Sequence, residues 1–167
     1  MIKSHINAYE RCFQYQPYYF LSKIEALDLL PQCFDKIFIP QAVAKELRDL
    51  SSPDYIKCTE ISIAGANFVL GALDSTWNLH AGELEAMVLA QEIQADYVIM
   101  DDRLARRKAQ SKGLKTIGTI GVLLLAHQQQ FISTSEIEEY LTTLTQTHGM
   151  YISPKILKEV KKSIQNT

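Results

Sequence analysis

The sequence is short of cysteine. Its three, Cys12, Cys33 and Cys58, are odd in number and unpatterned in spacing. That argues against a disulfide framework and a zinc site, and fits a reducing cytoplasm. Excess positive charge is also missing: the formal net charge is −2, so no global basic field recruits nucleic acid, and any such binding must use a local patch. No apolar run is long enough to span a membrane. The first twenty residues, MIKSHINAYERCFQYQPYYF, lack the apolar core of a signal peptide. There are no repeats, low-complexity tracts or Gly/Ser linkers. No glycine-rich phosphate loop appears; Gly118 and Gly121 are isolated and suit a strand-to-helix turn. His80 and His148 have no partner at ligand spacing.

What is present fits one domain. The 167 residues, 47% hydrophobic and 22% charged, suffice for a sizeable core. Periodicity and caps predict helices over Ser22–Leu30, Gln41–Leu50, Asn67–Leu73, Glu83–Ile93, Asp102–Lys112 and Gly118–Gln129. Two more follow, from Ser133 to about Thr145 and from Ser153-Pro154 to about Ile164. Ser51 to Asp54 breaks the second helix. Strands are expected over Lys36–Ile39, Tyr97–Met100 and Lys115–Ile117, and Tyr55–Ile63 has strand character. Short strands alternating with longer helices imply an α/β fold: a parallel sheet with helices on both faces.

The most informative pair is Asp101 and Asp102, at the end of the apolar run Tyr97 to Met100 and at the start of a basic helix. This places both at the carboxyl edge of the sheet, where open α/β folds bind ligands. One aspartate suffices to cap the helix; two point to Mg²⁺ or Mn²⁺ and phosphodiester chemistry. Glu83 and Glu85 lie two apart and cannot both enter one site. Glu83 is either a helix-dipole residue or a site residue near that edge, and Glu85 suits surface charge. Glu46, flanked by Lys45 and Arg48, reads alone as a solvated residue. Arg103, Arg106 and Arg107 share a helix face and form either a phosphate clamp or a solvated face.

Four blocks carry a resemblance: LSKIEALDLLPQCFDKIFIPQAVAKEL, AGELEAMVLAQEIQADYVIMDDRLAR, GLKTIGTIGVLLLA and GMYISPKILKEV. In this order they resemble bacterial PIN-like proteins of a "domain of unknown function" class, relatives of the toxin nucleases of toxin–antitoxin pairs. The resemblance implies a three-layer α/β/α sandwich with a central parallel sheet. It implies metal-dependent RNA cleavage by Glu46, Glu83 and Asp101 or Asp102, with Mg²⁺ or Mn²⁺ held by Glu83, Asp101 and Asp102. The arginines would take RNA phosphate. The implied partners are RNA, a small antitoxin protein and a second copy in a homodimer, with no membrane.

The front of the chain departs from that family, whose first strand ends in an acidic residue. Here the position falls on Gln14, a neutral and poor metal ligand. Permitted codons for Tyr9 to Tyr19, shifted by one nucleotide, read M-N-V-V-S-N-T-S-P-I-I, which looks like the family's start. This marks residues 1–19 as an aberrant, out-of-frame segment. The shifted frame allows only Asn or Ser at the acidic position, so the carboxylate is absent on either reading. As written, Arg11 and Gln14 predict a poor central strand, because both are costly in a strand buried on both faces. The expectation is therefore weak cleavage, or a catalytically inactive module that engages an antitoxin-like partner or RNA.

Overall fold

A computed structural model describes residues 10–48 and 53–165. Five strands form one parallel sheet: β1 (Glu10–Phe13), β2 (Lys36–Pro40), β3 (Ile56–Thr59), β4 (Tyr97–Ile99) and β5 (Thr116–Ile117). Their order is β3-β2-β1-β4-β5. The described helices are α1 (Tyr15–Lys23), α2 (Leu29–Cys33), α3 (Gln41–Glu46), α4 (Ile63–Leu73), α5 (Ala81–Glu92), α6 (Arg103–Ser111), α7 (Thr119–Gln128), α8 (Thr134–Gln146) and α9 (Pro154–Gln165).

Alternation along β1 divides the core into two. Phe13 joins a cluster with Leu30, Ile37, Leu123 and Ile137, under α1, α2, α7, α8 and α9. Cys12 faces the other cluster, with Leu84, Leu89, Val98 and Ala105, under α4, α5 and α6. This is the expected α/β/α sandwich. Among the described residues no helix is long and apolar enough to cross a membrane.

The chain path reverses between β1 and β4. From β1 the sheet grows outward through β2 to β3, and then crosses back to place β4 and β5 on β1's other side. Such a reversal opens a crevice at the carboxyl ends of the two central strands. Gln14 follows β1 there, and Asp101 and Asp102 follow β4.

Three sequence expectations need correction. The central strand expected to be poor is instead paired along both edges: β1 pairs with β2 (Arg11↔Ile37) and with β4 (Arg11↔Tyr97). Arg11 is tolerated although only 3% exposed. Its guanidinium lies 4.9 Å from the Phe34 ring centre and 4.5 Å from that of Tyr97, and meets Asp96 at 3.4 Å. Two aromatic faces and a carboxylate replace its water. The reading frame of residues 1–19 is a separate question, and residues 1–9 lie outside the described part. The helix expected over Ser22–Leu30 is likewise not continuous. It breaks at Glu25, where φ is +55°, and the chain restarts as α2. At α3 the helix stops at Glu46, capped by Leu47, short of the expected end. Leu50, Ser51 and Ser52 lie outside the described residues.

Candidate functional site

Gln14 caps the start of α1 by backbone geometry alone; its side chain makes no cap. Its backbone N–H donates to Ile99 O at 3.0 Å, which ties the end of β1 to the end of β4. The side chain, 5% exposed, turns into the crevice. Its amide Nε2 donates to Glu83 Oε1 at 3.1 Å. A carboxylate only accepts, so the amide must present nitrogen and not oxygen. The other end of the amide, Oε1, is buried and has no hydrogen-bond partner among the described residues.

Glu83 sits in the first turn of α5, and Oε2 takes the backbone N–H of His80 at 2.9 Å. Both of its oxygens therefore already accept hydrogen bonds. Burial pushes its carboxyl above the usual range, and the negative charge of Asp102 adds to that; the two donors oppose it. Glu46, at the end of α3, is exposed, with its own affinity for a proton raised, mainly by partial burial and also by Glu83 and Glu85. It packs closely on the start of α5: a Cβ at Gly82 would lie 2.9 Å from Glu46 Oε1. Glu83 is thus the common member: it feels the charges of both Glu46 and Asp102 and is the one that touches Gln14.

Asp101 and Asp102 divide the work differently from the expectation. Asp102 caps α6, Oδ1 accepting the Ala105 N–H at 2.8 Å. Asp101 turns to the first residue of α7. Its Oδ1 accepts the Thr119 N–H at 2.8 Å and its Oδ2 accepts the Thr119 hydroxyl at 2.6 Å. The second aspartate is not surplus to capping, since it anchors a second helix. Burial raises the Asp101 carboxyl, while Thr119 and Arg106 offset part of the effect. Gly118 makes room for it, as a Cβ there would fall 2.7 Å from Asp101 Oδ1.

Glu85 is not free surface charge. It is half-buried, and Oε2 accepts the Ala42 N–H at 2.8 Å, satisfying the start of α3. Arg103 and Arg107 are exposed on α6, and Arg106 is half-buried with Nε 3.4 Å from Thr116 Oγ1. All three line a groove of about 600 Å³ with Tyr151, Lys155 and Glu159. His80 stays near Glu46 and Glu83, whereas His148 lies beyond the end of α8. Sequence reasoning missed Thr119 as the partner of Asp101. The only signal was a threonine opening the helix after β5, which does not name its acceptor.

A profile described as a PIN domain matches residues 15–166. Its first matched residue follows Gln14, so β1 and Gln14 lie outside the match. No curated protein and no solved structure matches the chain. A match over that span settles kinship, and the chain belongs to the PIN domain family.

Proposed function

We propose that this chain is a ribonuclease-type PIN domain that holds single-stranded RNA and, as written, cuts it weakly or not at all. The biological setting in this reading is the toxin half of a toxin–antitoxin pair, with a small antitoxin protein as partner and a homodimer as the assembly. The observation that carries the weakened activity is the hydrogen bond from the Gln14 amide to Glu83.

The cofactor implied by the family is Mg²⁺ or Mn²⁺, and the donor chemistry suits either, since Glu46, Glu83 and Asp102 offer hard oxygens. The arrangement does not. Among the described residues, no three His, Cys, Asp or Glu side chains gather closely enough to hold a metal ion. Both oxygens of Glu83 and both of Asp101 already accept hydrogen bonds. An amide N–H group, not a carboxylate, faces Glu83. The residues as they stand do not fit a divalent cation, and no catalytic step is assigned to one.

What the side chains support is binding. Arg103 and Arg107 present bidentate donors to solvent from one helix face, as RNA backbone phosphates require. The same observations favour the second reading, a PIN-derived module that engages RNA or an antitoxin without cutting.

The experiment compares cleavage of a labelled RNA with Mn²⁺ by three proteins. They are the chain as written, the chain with residues 9–19 replaced by M-N-V-V-S-D-T-S-P-I-I, and that rebuilt chain carrying Asp101→Asn with Asp102→Asn. Cleavage by the rebuilt chain alone supports the ribonuclease reading. A rebuilt chain that is folded, binds Mn²⁺ and stays inert leaves the binding module in its place.

A further inference from the structure

The loop between α8 and α9 carries an exposed ring. Gly149, at φ +66°, turns the chain after α8, and the Met150 N–H donates back to Leu144 O at 2.9 Å. Met150 and Ile152 pack against the core, so the alternation directs Tyr151 outward, where it is 84% exposed. Leaving an aromatic side chain in water forgoes the stabilisation that its burial would give. No ring or cation partner offsets that among the described residues.

The ring stands at the junction of two grooves. One is the groove of Arg103, Arg106, Arg107 and Lys155, four cations against the single acid Glu159. The other, of about 490 Å³, runs from Tyr151 past Arg106 and Gly118 to Asp101 at the carboxyl edge. Arg106 and Tyr151 line both. On a chain of net charge −2 this is a local basic patch beside a ring. Single-stranded nucleic acid matches that pairing, because cations follow its backbone while an aromatic face takes a base. An acidic peptide would use the cations but leave the ring without a role.

We propose that Tyr151 is a stacking platform for one base of a single-stranded RNA, whose backbone phosphates lie on Arg103, Arg107 and Lys155. The strand then continues past Arg106 toward Asp101 and the carboxylates. This inference rests on the RNA reading above and adds to it the place and the polarity of the groove that receives the strand.

The test measures binding of a fluorescent single-stranded RNA 12-mer to the full chain in EDTA, by anisotropy, across a salt series. Tyr151→Ala is expected to weaken binding by about 5- to 150-fold. Tyr151→Phe and Tyr151→Trp restore it, and an abasic oligomer does not distinguish Tyr151→Ala from the parent. The slope of log K against log salt stays the same in Tyr151→Ala, and falls by about 0.7 for each phosphate no longer neutralised in Arg103→Ala or Arg107→Ala. If Tyr151→Ala binds as the parent does while the arginine variants weaken, the platform is overturned and the RNA reading stands. If Phe fails to rescue, stacking is likewise overturned. A parent that binds poly-glutamate but no RNA overturns both the platform and the RNA reading.

Discussion

Gln14→Glu changes one group and no volume. It replaces the Nε2 donor with an oxygen 3.1 Å from Glu83 Oε1. The hydrogen bond to a charged acceptor, about 1.5–3 kcal/mol, is lost. Two carboxylates at that separation would repel by about 5 kcal/mol at an effective dielectric near 20, so the pair takes up a proton instead. The folded pair then binds protons more tightly than the unfolded chain. Native protons exceed unfolded protons from the ordinary carboxylate range up to the raised value, and stability falls as pH rises through that window. The expected cost is about 1 kcal/mol at pH 5 and about 2–4 kcal/mol at pH 8. For a domain of this size the latter corresponds to a loss of about 5–15 °C in Tm. Thermal melts in EDTA at both pH values measure it. The new carboxylate also sets a second hard-oxygen ligand beside Glu83. Mn²⁺ at a hundred times its Kd then returns about 2.7 kcal/mol to the variant and none to the parent. A variant as stable as the parent at pH 8, or a parent that gains as much from Mn²⁺, would refute the reasoning.

Glu83→Gln removes the buried charge whose carboxyl is raised by burial and Asp102. The parent's fall in stability as pH climbs through that range flattens in the variant, and urea titrations at several pH values measure the change of slope. Gly118→Ala costs about 2–3 kcal/mol, because Asp101 is fixed by Thr119 and cannot retreat, whereas Gly82→Ala stays within about 1 kcal/mol, because exposed Glu46 can swing away. Asp101→Ala costs about 2–3 kcal/mol by leaving the Thr119 N–H and hydroxyl unpaired, more than the roughly 1 kcal/mol of cap lost in Asp102→Ala; denaturant midpoints give the order.

The elements that could be read in advance are those whose signals are local. Ser133 and Glu136 sit three apart and form the reciprocal cap of α8 as written in the chain. Tyr97 to Met100 is apolar and ends in aspartates, and β4 and the N-cap of α6 follow. What could not be read was set by distant partners. Arg11 is acceptable in β1 only because Phe34 and Tyr97 supply the ring faces. Asp101 looked free for chemistry because Thr119, its partner, lies beyond the next helix and strand. Ile24, Leu27 and Leu30, spaced as one face of a helix, do meet the core, but a left-handed Glu25 divides them. Spacing alone cannot separate one helix from a turn that keeps the same face inward. Glu85 was misjudged because its acceptor role serves α3, the N-terminus of another element.

The strand order has a consequence for how the molecule comes into being. Of the described strands, the first in chain order is the middle one of the sheet. Its one edge waits for β2, and its other edge stays open until Tyr97 has been synthesised to meet Arg11. Closing so long a loop before any reward slows folding, and the nascent chain carries an unpaired edge meanwhile. A change that disrupts β1 therefore strikes the keel of the fold, the strand on which both β2 and β4 are laid.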